Sequence, residues 1–279
     1  MGTIKRVGLV IGGVLLLLGV FYAGLWIWGA WHDEWSGFNA SVRSHLAYCN
    51  IALVPIVGDI YLDEPSHDGS EYLAVTNADE VVAMIRDAER NPYIEGILVR
   101  IDSLGGTPVA SEIIMNAIRR SSLPSAALIR EYGTSGGYLV ASAADVVFAS
   151  PFSDVGGIGI TMSYVESSEK NRRDGLQFVS LASAPFKDYG SPDKPLTAAE
   201  RALLERDLEI FHAEFVALVA ENRNLPVREV EVLADGSSFP GSLAVEKNLV
   251  DFVGGEEDAL EWFAEKLGLP SEYIIVCDY

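Results

Sequence analysis

Gly133-Thr134-Ser135-Gly136-Gly137-Tyr138-Leu139-Val140-Ala141-Ser142-Ala143-Ala144-Asp145 is the stretch on which the fold turns. The apolar run Ser125–Tyr132 (SAALIREY) leads into it as a strand, and the small apolar residues behind Ser135 continue as a helix. Strand, tight turn and helix in that order lift a hydroxyl out of a sheet. They also leave the first helical N–H groups without backbone partners. Gly136 and Gly137 take away side chains that would bar a substrate backbone from close approach. The same residues fit a tight turn with a capping serine, so a nucleophile needs a base elsewhere in the chain.

Outward from this stretch, strands and helices alternate. Ile51–Ile60 (IALVPIVGDI) is a buried strand by its β-branched run, and Thr76–Arg90 places Val81, Val82, Ile85 and Ala88 on one helical face. Ile94–Ile101 is the next strand and Pro108–Arg120 the next helix. This succession predicts βαβ units and a mostly parallel sheet. Beyond Asp145, Val146–Ser150 and Gly159–Val165 read as strands, Glu166–Asp174 as a helix and Gln177–Phe186 as extended. Thr197 with Glu200 forms a capping box. It opens a long helix whose Leu204, Leu208, Phe211, Phe215 and Leu218 make an apolar stripe suited to a core or to packing between protomers. Ser242–Asn248 and Glu256–Leu267 are shorter helices, and Tyr273–Val276 reads as an edge strand.

Two glycine clusters come directly after strands: Asp102-Ser103-Leu104-Gly105-Gly106-Thr107 and the Ser135 turn. In parallel sheets chemistry collects at the carboxyl ends of strands, so both clusters face one end. Alone, Gly105-Gly106 is a loop. Beside a nucleophilic Ser135 its N–H groups are placed to receive a developing oxyanion.

Length and charge bound the function. The 279 residues suit one domain of about 230 residues and an N-terminal appendage. Forty acidic against 20 basic residues argue against a phosphate-binding surface, so nucleic acid is not an expected partner. Cys49 and Cys277 form neither a CxxC metal site nor a disulfide framework; one bridge between them is open.

Val7–Trp31 carries no charge, and about 20 apolar residues at 1.5 Å rise span a bilayer core of ~30 Å. Lys5 and Arg6 precede it; Asp33 and Glu34 come after it, and Trp26, Trp28, Trp31 and Trp35 suit an interfacial belt. The expectation is a cytoplasmic N-terminus (1–6), an uncleaved transmembrane anchor (7–31), a linker or stalk (32–49) and an extracytoplasmic domain (50–279). A cleaved signal peptide is the competing reading. It fits less well, because the apolar run exceeds the usual h-region and no small-x-small site comes after it.

A serine nucleophile needs a group to take its proton. His32 and His45 lie in the stalk region, His67 in a polar loop and His212 beside the apolar stripe, so none is well set as that base. Lys187 comes after the apolar Ala184-Pro185-Phe186, expected to be buried, and precedes a Gly-Ser-Pro turn. A lysine buried there is a candidate general base, because burial disfavours the ammonium form. An exposed loop lysine is the alternative.

With these residues in place, the chain resembles the signal peptide peptidase A group of membrane-anchored serine proteases. The resemblance rests on IALVPIVG, IDSLGGTPVASEII, GTSGGYLVASAAD, PFSDVGGIGI, FKDYGSP and ADGSSFPGSLAVEKNLVDFVGG, in order across nearly all of the region after the anchor. It implies an α/β ClpP/crotonase-like fold, Ser135 as nucleophile, Lys187 as general base, and the N–H groups of Gly106 and Gly136 as oxyanion hole. Gly105, Thr107 and Gly137 would line the substrate groove. It implies peptide substrates, with leftover signal peptides as their class, no metal or organic cofactor, and a homo-oligomeric ring, since a single catalytic region marks the short form. Two positions depart from the family: Leu104 replaces the proline of DSPGG, and Gly157 replaces a serine that orients the lysine. Two further readings stay open: a related protease processing one membrane-protein partner, and a non-catalytic ring scaffold.

Overall fold

A computed structural model describes residues 49–63 and 74–279. The expected anchor, most of the stalk, and His32, His45 and His67 lie outside the described residues.

The βαβ reading holds. Strands β1 (Ile51–Tyr61), β2 (Val75–Asn77), β3 (Gly96–Gly106), β4 (Ser125–Thr134), β5 (Val146–Ala149) and β8 (Phe252–Val253) form a parallel sheet in the order β2-β1-β3-β4-β5-β8. Short β6 (Asp154–Gly156) adds to the end of β4 and pairs antiparallel with β7 (Ser238–Pro240). The C-terminal β9 (Val276–Asp278) lies parallel to the start of β1.

Both faces of this sheet are covered, which is why its strands read as continuous apolar runs. Successive side chains point to opposite faces. Ile97, Val99, Ile101, Ala127, Ile129 and Val147 therefore enter one core, and Leu98, Ala126, Leu128, Val146 and Phe148 the other. The first core is closed by α1 (Ala78–Arg90), α2 (Pro108–Arg120) and α3 (Gly136–Ser142); the second by α8 (Glu256–Leu267) through Ala259 and Phe263. Helix α1 begins where the Asn77 side chain accepts the N–H groups of Asp79 and Glu80, and it buries Val81, Val82, Ile85 and Ala88. Truncating fully buried Ile85 to Ala would cost about 2–5 kcal/mol.

Both cysteines are disulfide-bonded, and they are the only two in the chain.

The region between β6 and the long helix α5 (Ala198–Asn222) departs from expectation. Residues 159–165 form no strand and 177–186 no regular extended segment; only α4 (Ser168–Arg173) is helical. Positive φ at Gly156 (97°) and Gly157 (58°) ends β6, and among the described residues no neighbouring strand offers a ladder to residues 159–165. Helix α5 has its capping box, but of the stripe only Phe215 is buried. Phe211 is 48% exposed, and the first four turns stand clear of the core. Helices α7 (Gly241–Glu246) and α8 answer to the expected Ser242–Asn248 and Glu256–Leu267, and α6 (Val227–Leu233) was not expected. Of the expected strand Tyr273–Val276 only Val276 is in a strand, as the first residue of β9, while Ser271–Tyr273 forms a 3₁₀ turn.

Candidate active site

The β4–α3 junction has the expected strand–turn–helix form. Ser135 sits at the turn with φ 51° and ψ −125°, a conformation rarely adopted by a non-glycine residue. Its N–H donates to Gly156 O at 2.7 Å, and its C=O accepts from Leu139 N–H at 3.0 Å. The backbone is thus fixed from both sides. Its hydroxyl makes no cap hydrogen bond to α3, so the capping-serine reading fails and the Oγ is left for other chemistry.

Gly105 lies against this hydroxyl. A β-carbon on Gly105 would stand 2.8 Å from Ser135 Cβ, 3.0 Å from Gly136 N and 3.1 Å from Ser135 Oγ. Gly106 N is 3.3 Å from the place a Gly136 β-carbon would take. Gly105, Gly106, Ser135 and Gly136 therefore lie close together. A β-carbon on Gly106 would meet Ile60 O at 2.1 Å, so only glycine lets β3 run this close to β1.

Gly137 abuts Ser103: its β-carbon position is 2.8 Å from Ser103 O. Thr107 is the N-cap of α2, and its backbone N–H is already committed to Ile60 O at 2.9 Å, so that N–H is not open to a substrate. Gly157 lies behind the nucleophile turn, its β-carbon position 3.4 Å from Ser135 N. A side chain there would stand against Thr134 and the Ser135 backbone.

Lys187 is tied to this cluster by no hydrogen bond among the described residues. It lies in a turn, its N–H donating to Ala184 O at 3.2 Å, and its side chain is exposed, without an ion pair among the described residues. The expected burial of Ala184-Pro185-Phe186 does not occur within one chain: all three are exposed, because both sheet faces are already covered. A neighbouring lysine behaves otherwise. Lys194 bridges Asp188 at 3.0 Å and Glu200 at 2.6 Å, tying the loop to the first turn of α5. Glu200 holds the Lys194 ammonium above the ordinary lysine range, with Asp188 adding to the effect, and Lys194 in turn holds the Glu200 carboxyl low. His212 is half-buried on α5 and has no part in the cluster.

Three residues of the site carry no motif of their own. Ser103 Oγ donates to Gly58 O at 2.6 Å and accepts Gly105 N–H at 3.1 Å. Thr134 Oγ1 donates to Leu104 O at 3.2 Å, and Ser111 Oγ occupies the space beneath Gly136. Ser103 and Thr134 are hydroxyl residues inside the two glycine clusters, whereas Ser111, inside α2, carries no such signal. Among the described residues no group of acidic, histidine or cysteine side chains is arranged to hold a metal.

The arrangement can bind a carbonyl oxygen at two backbone amides while a hydroxyl attacks the carbon, which is the geometry of acyl transfer. Comparison with known proteins agrees. Residues 117–270, more than half of the chain, match the model of peptidase family S49. A protein of Methanocaldococcus jannaschii with a provisional protease name is 30% identical over 213 residues, covering 76% of this chain and 68% of its own. A protein of Enterococcus faecium, provisionally named signal peptide peptidase SppA, is 27% identical over 202 residues, covering 71% of this chain and 59% of its own. Among solved structures, a mutant of the 1510-N membrane-bound stomatin-specific protease is similar with TM-score 0.54 at 14% identity, covering 83% of this chain and 97% of that chain. At that identity the likeness is one of α/β fold.

Proposed function

The chain belongs to peptidase family S49, of the SppA type, and from that premise we propose that it is a membrane-anchored serine endopeptidase working through Ser135 and Lys187. The observation that carries this reading is the meeting of an uncapped Ser135 hydroxyl with the backbone at Gly105, Gly106 and Gly136. In the proposed reaction an extended peptide lies along the Gly105-Gly106 loop with its carbonyl against Ser135. The neutral Lys187 amine takes the Oγ proton as Oγ bonds to the carbonyl carbon, and the oxyanion is received by the N–H groups of Gly106 and Gly136. Collapse breaks the C–N bond, and the leaving amine takes a proton from the Lys187 ammonium. The neutral Lys187 then takes a proton from water as the water oxygen bonds to the acyl carbon; the Oγ–C bond breaks, the acid is released, and Ser135 Oγ takes the proton from Lys187.

This chemistry requires the exposed Lys187 side chain to be seated against Ser135. The loop that carries it and the adjoining helix hold Leu176, Phe178, Val179, Leu181, Phe186 and Phe211 exposed, with Leu181 at 96%. So much uncovered apolar surface favours an assembled state. A homo-oligomeric ring that covers it and seats Lys187 is the assembly we propose. The substrate class is small apolar peptides, remnant signal peptides above all, at the extracytoplasmic membrane face. The disulfide fits an oxidising compartment.

The test is active-site labelling of the detergent-solubilised full chain with a fluorophosphonate, together with casein cleavage. Wild type labels and cleaves; Ser135→Ala does neither. Lys187→Arg keeps the positive charge but cannot serve as a base, and it is expected to be as inert as Lys187→Ala. The exposed Lys187 and the glycine at 157 favour one second reading, a non-catalytic ring scaffold. It replaces the protease if wild type is as inert as Ser135→Ala.

A further inference from the structure

Strand β3 carries one residue more than β1 where the two approach the site. Val57 pairs with Asp102 and Asp59 with Gly105, so Gly58 alone stands opposite Ser103 and Leu104, a β-bulge. The bulge changes which neighbour each β3 N–H faces. Before it, the odd-numbered Ile97 donates its N–H to Pro124 O, on the β4 side, at 2.9 Å. After it, the odd-numbered Thr107 donates to Ile60 O, on the β1 side, at 2.9 Å. Because alternate residues face opposite neighbours, Gly106 N–H is turned to the β4 side, where Ser135 and Gly136 lie. Without the extra residue the alternation would run on, and Gly106 N–H would face β1.

A bulge breaks ladder bonds, and one buried hydroxyl replaces them. Ser103 is 1% exposed; its Oγ donates to Gly58 O at 2.6 Å and accepts Gly105 N–H at 3.1 Å, joining the unpaired residue of β1 to the residue that resumes the register. Thr134, next to the nucleophile, fastens the other side through Oγ1 to Leu104 O at 3.2 Å. Leu104 stands where the resemblance leads one to expect a proline, so these two hydroxyls brace a turn that lacks proline's fixed φ.

We infer that Ser103 is a positioning residue for catalysis: its hydroxyl holds the one-residue bulge that aims the Gly106 N–H at the oxyanion formed on Ser135. The inference rests on the proposed reading of Gly106 as an oxyanion donor. An amide aimed wrongly costs transition-state binding and leaves ground-state binding of the peptide nearly unchanged.

The experiment compares wild type, Ser103→Ala, Thr134→Val and Ser135→Ala as full chains on a fluorogenic peptide, with circular dichroism at the assay temperature. Loss of a whole oxyanion donor costs about 10²–10³ in kcat, so Ser103→Ala is expected to lower kcat about 10- to 100-fold with KM within about threefold. Thr134→Val, which removes only the outer brace, is expected to show the same split at about 3- to 10-fold. A Ser103→Ala protein with wild-type kcat, or with its loss confined to KM, overturns the inference. If Ser103→Ala does not fold, Thr134→Val decides, and wild-type kcat there overturns it. An inert wild type removes the protease reading and this inference together. Failure of the inference alone is recognised by active wild type, Ser103→Ala with wild-type kcat and inert Ser135→Ala.

Discussion

Gly105 and Ser135 stand so close that no β-carbon fits between them: one placed on Gly105 would lie 2.8 Å from Ser135 Cβ and 3.1 Å from its Oγ. Gly105 also has φ 122°, a conformation that L side chains rarely adopt. Gly105→Ala therefore meets two independent penalties at the nucleophile. The loop must shift, the neighbouring Gly106 amide shifts with it, and kcat/KM is expected to fall by about 100-fold or more. The rest of the sheet does not depend on this residue, so far-ultraviolet circular dichroism should stay that of wild type. A variant with wild-type kcat/KM would mean that the contact is not part of the site.

Ser135 itself is held at φ 51° and ψ −125°. Strain of this kind costs on the order of 1–3 kcal/mol, and glycine escapes it while giving up about 0.4–1 kcal/mol in unfolded-state entropy. Ser135→Gly is expected to be inactive yet at least as stable as wild type, by up to about 2 kcal/mol. Ser135→Ala, which keeps a β-carbon, should be inactive with little gain. Guanidinium unfolding of the three proteins tests the order. A Ser135→Gly protein less stable than Ser135→Ala would show that the turn is not strained.

The parts of this protein legible in its sequence are those set by short-range order. Ser125–Asp145 announces its strand, turn and helix because every residue involved lies within one continuous run. Burial on both faces, which gives continuous apolar runs, likewise made β1, β3 and β5 plain. Gly159–Val165 failed as a strand because a strand needs a partner, and the sequence around it does not say whether one is free. Ala184–Phe186 failed as a buried run for a related reason: an apolar run does not say whether the sheet faces that would bury it are already covered. The contribution of Ser103 was hidden in register. Which neighbour an N–H faces depends on counting residues against another strand, and a bulge is invisible until both strands are paired.

Charge fixes the loop to α5 only within a window of pH. Glu200 is 3% exposed and paired with Lys194, whose ammonium also meets Asp188. The Glu200 carboxyl is held below its ordinary value, chiefly by Lys194; its contribution is complete above the ordinary carboxylate range and is lost as pH falls through the lowered value. Lys194 is held above its ordinary value, chiefly by Glu200. Its contribution is complete below the ordinary lysine range and is lost as pH rises through the raised value. Both are present at neutral pH, so hydrogen exchange in residues 186–200 should be slow at pH 7 and should accelerate below about pH 4, after correction for intrinsic exchange. Lys194→Met should already show the fast exchange at pH 7. Protection unchanged in that variant would mean the ion pairs do not hold the loop.

The first half of α5 is the remaining surface that physical chemistry does not leave alone. Ile210 is 53% exposed and Phe211 48% exposed on a helix whose last turns, at Phe215, Val216, Val219 and Ala220, are buried. A helix of 25 residues has few reasons to extend so far beyond the core that anchors it. Isolated helices owe little of their stability to propensity and most of it to packing. If packing between copies of the chain supplies what the core does not, a charge at these positions must be desolvated on assembly, a cost that exposed residues of a monomer never meet. Ile210→Glu and Phe211→Glu are expected to weaken self-association about tenfold or more, equivalent to about 1.4 kcal/mol, while the unfolding transition of the separated chains changes little. Sedimentation velocity of the detergent-solubilised protein over a concentration series measures the first quantity and chemical unfolding the second. Because Lys187 lies in the adjoining exposed loop, casein cleavage should fall in step with assembly. Full cleavage by a dissociated variant would separate the catalytic site from the oligomer.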